Sequence, residues 1–173
     1  MKKTRTQILA GVVLLATVLL ITGIAWAKAT KTPISGTQTL AVSGDPVRFW
    51  VDDEGIIHYR GLPGVMTFPS GDVTGRGSYV VNVNLDTVTG NGDESGTATL
   101  DLTWGDLSGI VEGRFSGIYT AGTSNGTGVY HGTGGDFVGM KMMWSYIIDG
   151  TTGPTGTVWD ATYTAIILDP HGE

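Results

Sequence analysis

The chain has 173 residues, no cysteine, 28 glycines and a formal net charge of −6. This length suits one domain, and a chain of this size can bury a core without disulfides or a structural metal. Three of the ten basic residues lie in the first 27 residues and all sixteen acidic residues follow, so the remainder has seven basic and sixteen acidic residues, a charge of −9. That balance argues against nucleic-acid binding, which needs a basic surface.

The N-terminus has the three parts of a secretory signal peptide. Lys2, Lys3 and Arg5 precede an apolar run over residues 8–21, and Ala-Trp-Ala at residues 25–27 supplies a small-residue cleavage site. We therefore expect a signal peptide over residues 1–27 and a secreted or extracytoplasmic protein. An uncleaved anchor is the alternative, because the run and the cleavage site together are long enough to span a bilayer. The membrane would then be contacted through this segment alone.

The chain after the leader is expected to begin without regular structure. Residues 28–36 are interpreted as a flexible entry, because Pro33 and Gly36 discourage a helix or strand. Residues 37–42 then predict a first short strand.

Alternating apolar and polar residues indicate a hairpin in the next segment. The alternation covers residues 47–51 and 56–60, and an acidic turn with a glycine lies between them at 52–55, which is the pattern of two paired strands. Leu-Pro-Gly at 62–64 predicts a corner, followed by a short strand over 65–68.

The middle of the chain has the most regular alternation. Residues 86–95 are predicted to form a polar loop between two strands, and residues 105–106 a turn. One face of each strand is expected to be buried and the other solvated; the buried positions are Tyr79, Val81, Val83 and Leu85 in the first strand and Ala98, Leu100, Leu102 and Trp104 in the second.

The last third predicts a strand over residues 110–119, a loop over 121–127 and a final strand over 158–168. Gly113 and Gly117 interrupt the first of these strands, and interior glycines often mark the bends that a curled sheet needs.

These elements predict an all-β fold, namely a single antiparallel β-barrel of about eight strands over residues 37–169, preceded by an N-terminal signal helix and followed by a tail at 170–173. A β-sandwich is the alternative, but closure removes exposed strand edges. An outer-membrane barrel is disfavoured, because many outward positions are Thr, Ser, Asn or Gly and not a continuous apolar band.

A glycine-rich corner precedes the most apolar strand. The segment from Gly132 to Lys141 reads GTGGDFVGMK and resembles the "GTG-x-F-x-G-x-K/R" signature of the allene oxide cyclase and dirigent superfamily, with Gly135 as one extra glycine. The resemblance extends loosely over residues 73–168. It implies an eight-stranded barrel with an apolar cavity, and it transfers no catalytic residue to this chain. From the residues alone, the glycines predict a tight corner and Phe137 a plug at one barrel end.

Glu112, Arg114 and His131 are the catalytic candidates. Glu112 and Arg114 share one strand face, and the sequence leaves open whether that face points inward. If it does, these two residues and Lys141 would form a polar cluster with an acid or base inside the barrel; if not, they pair across the outer sheet surface. His131 is expected to hydrogen-bond the glycine corner.

Met140, Met142, Trp144 and Tyr146 form one stripe and are the ligand-binding candidates, with a plain core role as the alternative. Asn125-Gly126-Thr127 fits the N-glycosylation sequon in what is predicted to be an exposed loop. The acidic turns lack calcium-site spacing, and no pattern indicates a metal or another cofactor.

The sequence thus predicts a secreted barrel that binds a small apolar ligand or has a structural role. The alternative is an enzyme of the cyclase or isomerase type that acts on a hydrophobic substrate in the barrel cavity.

Overall fold

The computed structural model describes residues 29–148 and 158–170, and the predicted signal peptide and residues 171–173 of the predicted tail lie outside this part of the chain. The described residues form nine strands and no helix that could cross a membrane. The strands are β1 (Thr30–Val42), β2 (Arg48–Val51), β3 (Ile56–Gly71), β4 (Val73–Asp86), β5 (Gly92–Trp104), β6 (Leu107–Thr120), β7 (Thr123–Gly135), β8 (Lys141–Ile148) and β9 (Val158–Asp169).

Eight of these strands close into an antiparallel barrel. Each strand from β3 to β8 pairs with the strand that follows it along the chain. The last strand, β9, pairs with β1, and β1 pairs with β3, which closes the ring. The ninth strand, β2, pairs with the first residues of β3, on the same edge that β1 occupies from Gly64 onward. The predicted antiparallel barrel is therefore confirmed, and the sandwich is excluded.

Alternation builds the core, as the sequence predicts. Along the barrel strands, buried inward side chains alternate with exposed outward ones, except in the first half of β3, which is half-buried throughout. The predicted inward faces of β4 and β5 are confirmed: Tyr79, Val81, Val83, Ala98, Leu100 and Leu102 are all buried.

The first strand begins earlier than predicted. Residues 30–36, interpreted as a flexible entry, form the first half of β1 and pair with β9. Pro33 is accommodated because β1 pairs with β3 only from Gly36 onward, which leaves one edge of β1 open before that point. The Ser35 N–H points to that open side, where it reaches Asp72, and the backbone nitrogen of Pro33, two residues earlier, faces the same way. A proline is tolerated where no ladder hydrogen bond is required.

The predicted corner at residues 62–64 is wrong, because these residues lie inside β3, a continuous strand of 16 residues. The interruption is a bulge between Tyr59 and Leu62, where Gly61 adopts a φ of 66°. A bulge bends the strand without ending it.

Two predicted loops are also shorter than expected. Strand β5 already begins at Gly92, so Asp93 and Glu94 belong to a strand and not to a polar loop. Strand β7 begins at Thr123, which leaves Ala121 and Gly122 as a two-residue turn. Both have positive φ, 50° and 87°, as tight hairpin turns require.

The glycine-rich corner closes one end of the barrel. Phe137 is fully buried, with 0% of its surface exposed, and the Gly132 N–H donates a hydrogen bond to the Met140 carbonyl at 2.9 Å. A Cβ at Gly132 would overlap the Phe137 carbonyl, so this position requires glycine. The carboxylate of Asp136 accepts the Ser108 N–H at 2.9 Å and ties the corner to β6.

Inside the barrel, interior glycines lie directly opposite aromatic side chains on the next strand. In each case a Cβ on the glycine would collide with the ring or its hydroxyl. The ring thus fills the space above the glycine. The pairs are Gly36–Tyr163, Gly64–Tyr79, Gly96–Phe115, Gly113–Tyr130 and Gly126–Tyr146.

We predict that Gly126→Ala destabilises the protein by about 1–3 kcal/mol, the usual cost of overpacking a filled core, because the new methyl would overlap the Tyr146 ring. Gly134→Ala, in the same strand, is the matched control, since its Cβ would meet Ile110 at an ordinary 3.4 Å. Urea denaturation of both variants checks this. Equal stability of the two variants would contradict the steric account.

Candidate ligand cavity

The barrel encloses a cavity of about 550 Å³ above the closed end. This volume falls in the usual range for small-molecule sites, about 300–1,000 Å³. Aliphatic and aromatic side chains from all eight barrel strands line it, including Leu40, Leu62, Met66, Tyr79, Val81, Val83, Leu100, Phe115, Tyr130, Trp144 and Tyr146.

The mouth of the cavity lies at the end opposite Phe137. There the wall between β1 and β2 is interrupted: β1 pairs with β3 as far as Val42, β2 resumes the pairing at Arg48, and the residues between leave the sheet. Asp45 and Pro46 of this segment line the mouth, together with Gly90 and Gly122 from two hairpin turns. Turns and an irregular segment, and not paired strands, therefore border the cavity at this end.

A buried carboxylate lies on the cavity wall. Glu94 in β5 is only 5% exposed. Its Oε1 accepts hydrogen bonds from the Tyr146 hydroxyl at 2.7 Å and the Ser124 hydroxyl at 2.9 Å, and its Oε2 accepts one from the Tyr119 hydroxyl at 2.7 Å. Three donors around one carboxyl group match an ionised carboxylate, which can only accept hydrogen bonds. Hydrogen bonds to an ionised group are stronger than those between neutral groups.

Local sequence explains how this cluster forms. Glu94 pairs with Gly117 on β6, and a Cβ at Gly117 would lie 2.7 Å from Glu94 Oε1 and 2.9 Å from Ser124 Oγ. Gly117 thus provides the space in which the carboxylate and its donors meet. The signal for Glu94 was present in the sequence, because it has the same parity as the inward-facing Ala98 and Leu100; the overlong loop prediction concealed it.

The phenols around Glu94 are held in the neutral, donating form. Burial raises the pKa of Tyr79 to about 12, and the negative charge of Glu94 contributes to this shift. The same two causes, burial first, raise the pKa of Tyr119, Tyr130 and Tyr146.

A second polar group on the cavity wall lacks a partner. Gln38 in β1 is 2% exposed, and its side-chain carbonyl oxygen makes no hydrogen bond. An unsatisfied buried acceptor typically costs about 1–3 kcal/mol. A ligand that donates to this oxygen would remove that cost.

The catalytic candidates lie elsewhere. Glu112, Arg114 and His131 are exposed on the outer face of β6 and β7, while Val111 and Phe115 of the same β6 segment point inward. The polar cluster inside the barrel that the inward alternative required from Glu112 and Arg114 is therefore not formed. His131 is directly opposite Glu112 on the outer surface.

The ligand-binding candidates divide into two groups. Trp144 and Tyr146 line the cavity. Met140 and Met142 are equally buried, but they do not belong to the cavity wall and pack nearer the closed end. The stripe is therefore divided between the cavity wall and the core, and a ligand-binding role for Trp144 and Tyr146 stays a prediction.

Asn125 is exposed, but on a strand of the sheet. It lies in β7 with β6 and β8 paired on either side, whereas the sequence placed it in a loop. Among the described residues, no group of three or more His, Asp or Glu side chains is arranged to hold a metal ion.

The β2–β3 hairpin has a polar network on its outer side that the sequence did not indicate. His58 Nε2 lies 2.8 Å from Asp52 Oδ2, its Nδ1 lies 2.8 Å from Asn84 Oδ1, and its ring stacks on Trp50 at 4.6 Å between centroids. The hydrogen bond to Asp52 raises the pKa of His58, and the same bond lowers the pKa of Asp52. None of these side chains lines the cavity, so we assign the network to fixing the hairpin.

Comparison with known proteins gives no family for this chain. No model of a known protein family matches it, and no curated protein matches either.

We predict that the protein loses stability progressively above about pH 10, the ordinary pKa of a free phenol. The pKa values of the cavity phenols are higher in the native state than in the unfolded state. The contribution of these phenols to folding stability is therefore complete below about pH 10, and it is lost as the pH rises through their native pKa values, beginning with Tyr79 at about 12. Urea denaturation across this range, combined with tyrosinate absorbance, measures the effect. Ionisation of all tyrosines near pH 10 in a protein with unchanged circular dichroism would contradict it.

Proposed function

We propose that this protein binds a small, predominantly apolar molecule inside its barrel. The observation that supports this most directly is the cavity of about 550 Å³, which is open at one end and lined mainly by apolar and aromatic side chains. The interior of an eight-stranded barrel is either filled by side chains or wide enough to hold one small ligand.

The cavity wall is well suited to selective binding. Edge-to-face contacts join its rings: Tyr79 to Phe115 at 6.4 Å, Phe115 to Tyr146 at 6.3 Å and Tyr130 to Trp144 at 6.1 Å between centroids. Because a closed sheet positions each ring, the site is largely preformed, and little ordering entropy is lost on binding. A few polar groups on an apolar wall are the usual means of orienting a ligand.

We place this activity outside the cytoplasm, on the strength of the leader over residues 1–27, with attachment to a membrane if the leader is not cleaved. We also propose kinship with the allene oxide cyclase and dirigent superfamily. The support is the eight-stranded barrel together with the buried Phe137 of the signature-like corner.

We predict that Val81→Phe lowers the affinity for a neutral apolar dye, N-phenylnaphthylamine, by about tenfold or more, because the larger side chain occupies cavity volume. Val80→Phe is the matched control, since Val80 is the next residue and points outward. Fluorescence titration measures both. Should Val81→Phe not fold, Leu62→Phe, half-buried at the cavity wall, replaces it.

Failure of the wild-type protein to bind the dye, and to retain any small molecule that solvent extraction and mass spectrometry can identify, would overturn the binding function. Equal affinity of the inward and outward variants would place the dye outside the barrel.

A second candidate function is an isomerase or cyclase that acts on a hydrophobic substrate in the same cavity. Glu94 specifically favours it, because a buried carboxylate on a cavity wall is a suitable general base. The neutral phenols of Tyr79 and Tyr130, which also line the cavity, would donate to an oxygen that gains charge during the reaction. In an isomerisation, Glu94 would accept a proton from one carbon and return it to another, with no net change in oxidation state.

We predict that the wild-type protein accelerates deuterium exchange from heavy water into an apolar ketone probe, and that Glu94→Gln reduces the exchange to the buffer rate. Asp101→Asn is the control, because it removes one charge from the outer face of the same strand. Mass spectrometry of the recovered ketone measures the incorporation. An unchanged rate in Glu94→Gln would exclude this candidate.

A further inference from the structure

The charges on the cavity wall all have the same sign. Among the described residues, the carboxylates that line the cavity are Glu94 inside and Asp45 at the mouth, and no lysine, arginine or histidine lines it. The cavity is therefore a region of negative potential, and its low-dielectric walls strengthen that potential relative to an open surface.

Glu94 is hydrogen-bonded but has no oppositely charged partner among the described residues. Its partners are three hydroxyl groups. Oε1 accepts two hydrogen bonds and Oε2 only one, so Oε2 keeps a free acceptor position. A buried charge without an opposite charge is costly, and a cation in the cavity would offset that cost.

The other groups that face the cavity also favour positive charge. The unpartnered carbonyl oxygen of Gln38 accepts hydrogen bonds. Trp144, Tyr130 and Tyr79 also line the cavity, and the face of an aromatic ring carries the negative part of its quadrupole, which attracts a cation within about 6 Å. Carboxylate, carbonyl and ring faces are together the groups that surround an organic cation.

We propose that the ligand of this cavity is an organic cation, in which a protonated amine or quaternary ammonium group is attached to an apolar body. This inference rests on the proposed binding function and specifies its ligand class. The apolar body packs against the aliphatic and aromatic wall, and the charged head group lies near Glu94. A fatty acid or another carboxylate of the same size is disfavoured, because its charge would repel both Glu94 and Asp45.

Three ligands with the same ten-carbon chain test the proposal: decyltrimethylammonium, decanol and decanoate, titrated calorimetrically below their micelle concentrations. We expect the cation to bind about tenfold tighter than the alcohol, which is the size of a desolvated cation–π contact combined with charge attraction, and decanoate to bind most weakly. Higher salt should weaken the binding of the cation more than that of the alcohol.

Glu94→Gln should lower the affinity for the cation more than the affinity for decanol, and so reduce the preference for the cation over the alcohol. Asp101→Asn changes the total charge by the same amount on the outer face and should retain the preference. If Glu94→Gln does not fold, the three-ligand comparison on the wild-type protein decides alone.

Two failures are distinguishable. The inference is overturned if the neutral dye binds but decanol or decanoate binds as tightly as the cation, or if the dye binds and the cation does not. Either result leaves the binding function standing. Binding of neither the dye nor any of the three ligands overturns the binding function itself. An equal loss of preference in Asp101→Asn would assign the preference to diffuse surface charge and likewise overturn the inference.

Discussion

The interior of this barrel depends on the pairing of five large rings with glycines on neighbouring strands. Tyr79, Phe115 and Tyr146 would collide with almost any side chain at Gly64, Gly96 or Gly126. Because protein interiors tolerate neither overlap nor large voids, the glycines determine where each ring lies. The rings in turn leave a defined space between them, so the cavity and the core have the same origin.

The same constraint explains how a charged group is held in an apolar barrel. Gly117 opens a gap on β6 that admits the Glu94 carboxylate and its hydroxyl donors. Hydrogen bonds satisfy the carboxylate without a positively charged residue, which stabilises its position but leaves its charge available to a ligand. A carboxylate that was already paired with a lysine or arginine would have no such capacity.

Errors in the sequence-based description have a common physical cause. Strong local signals for irregular structure occur at Pro33, at Leu-Pro-Gly 62–64 and in the polar stretch at 86–95. Pairing with neighbouring strands nevertheless extends β1 and β3 through the first two and begins β5 at Gly92, inside the third. Tertiary hydrogen bonding outweighs local preference wherever a partner edge is available. The loop prediction at 86–95 had the largest consequence, because it assigned Glu94 to solvent.

The sequence by itself determined the all-β class and the inward faces of β4 and β5, and it favoured a barrel, since two-residue alternation interrupted by glycine turns is a local property of the chain. The tertiary structure decided three further features: ring closure through β1 and β3, the orientation of the Glu112–Arg114 face, and the meeting of Glu94 with Tyr119, Ser124 and Tyr146. The cluster joins four strands across as many as 52 residues. Contacts of that kind depend on register around the whole ring, and no local pattern specifies register.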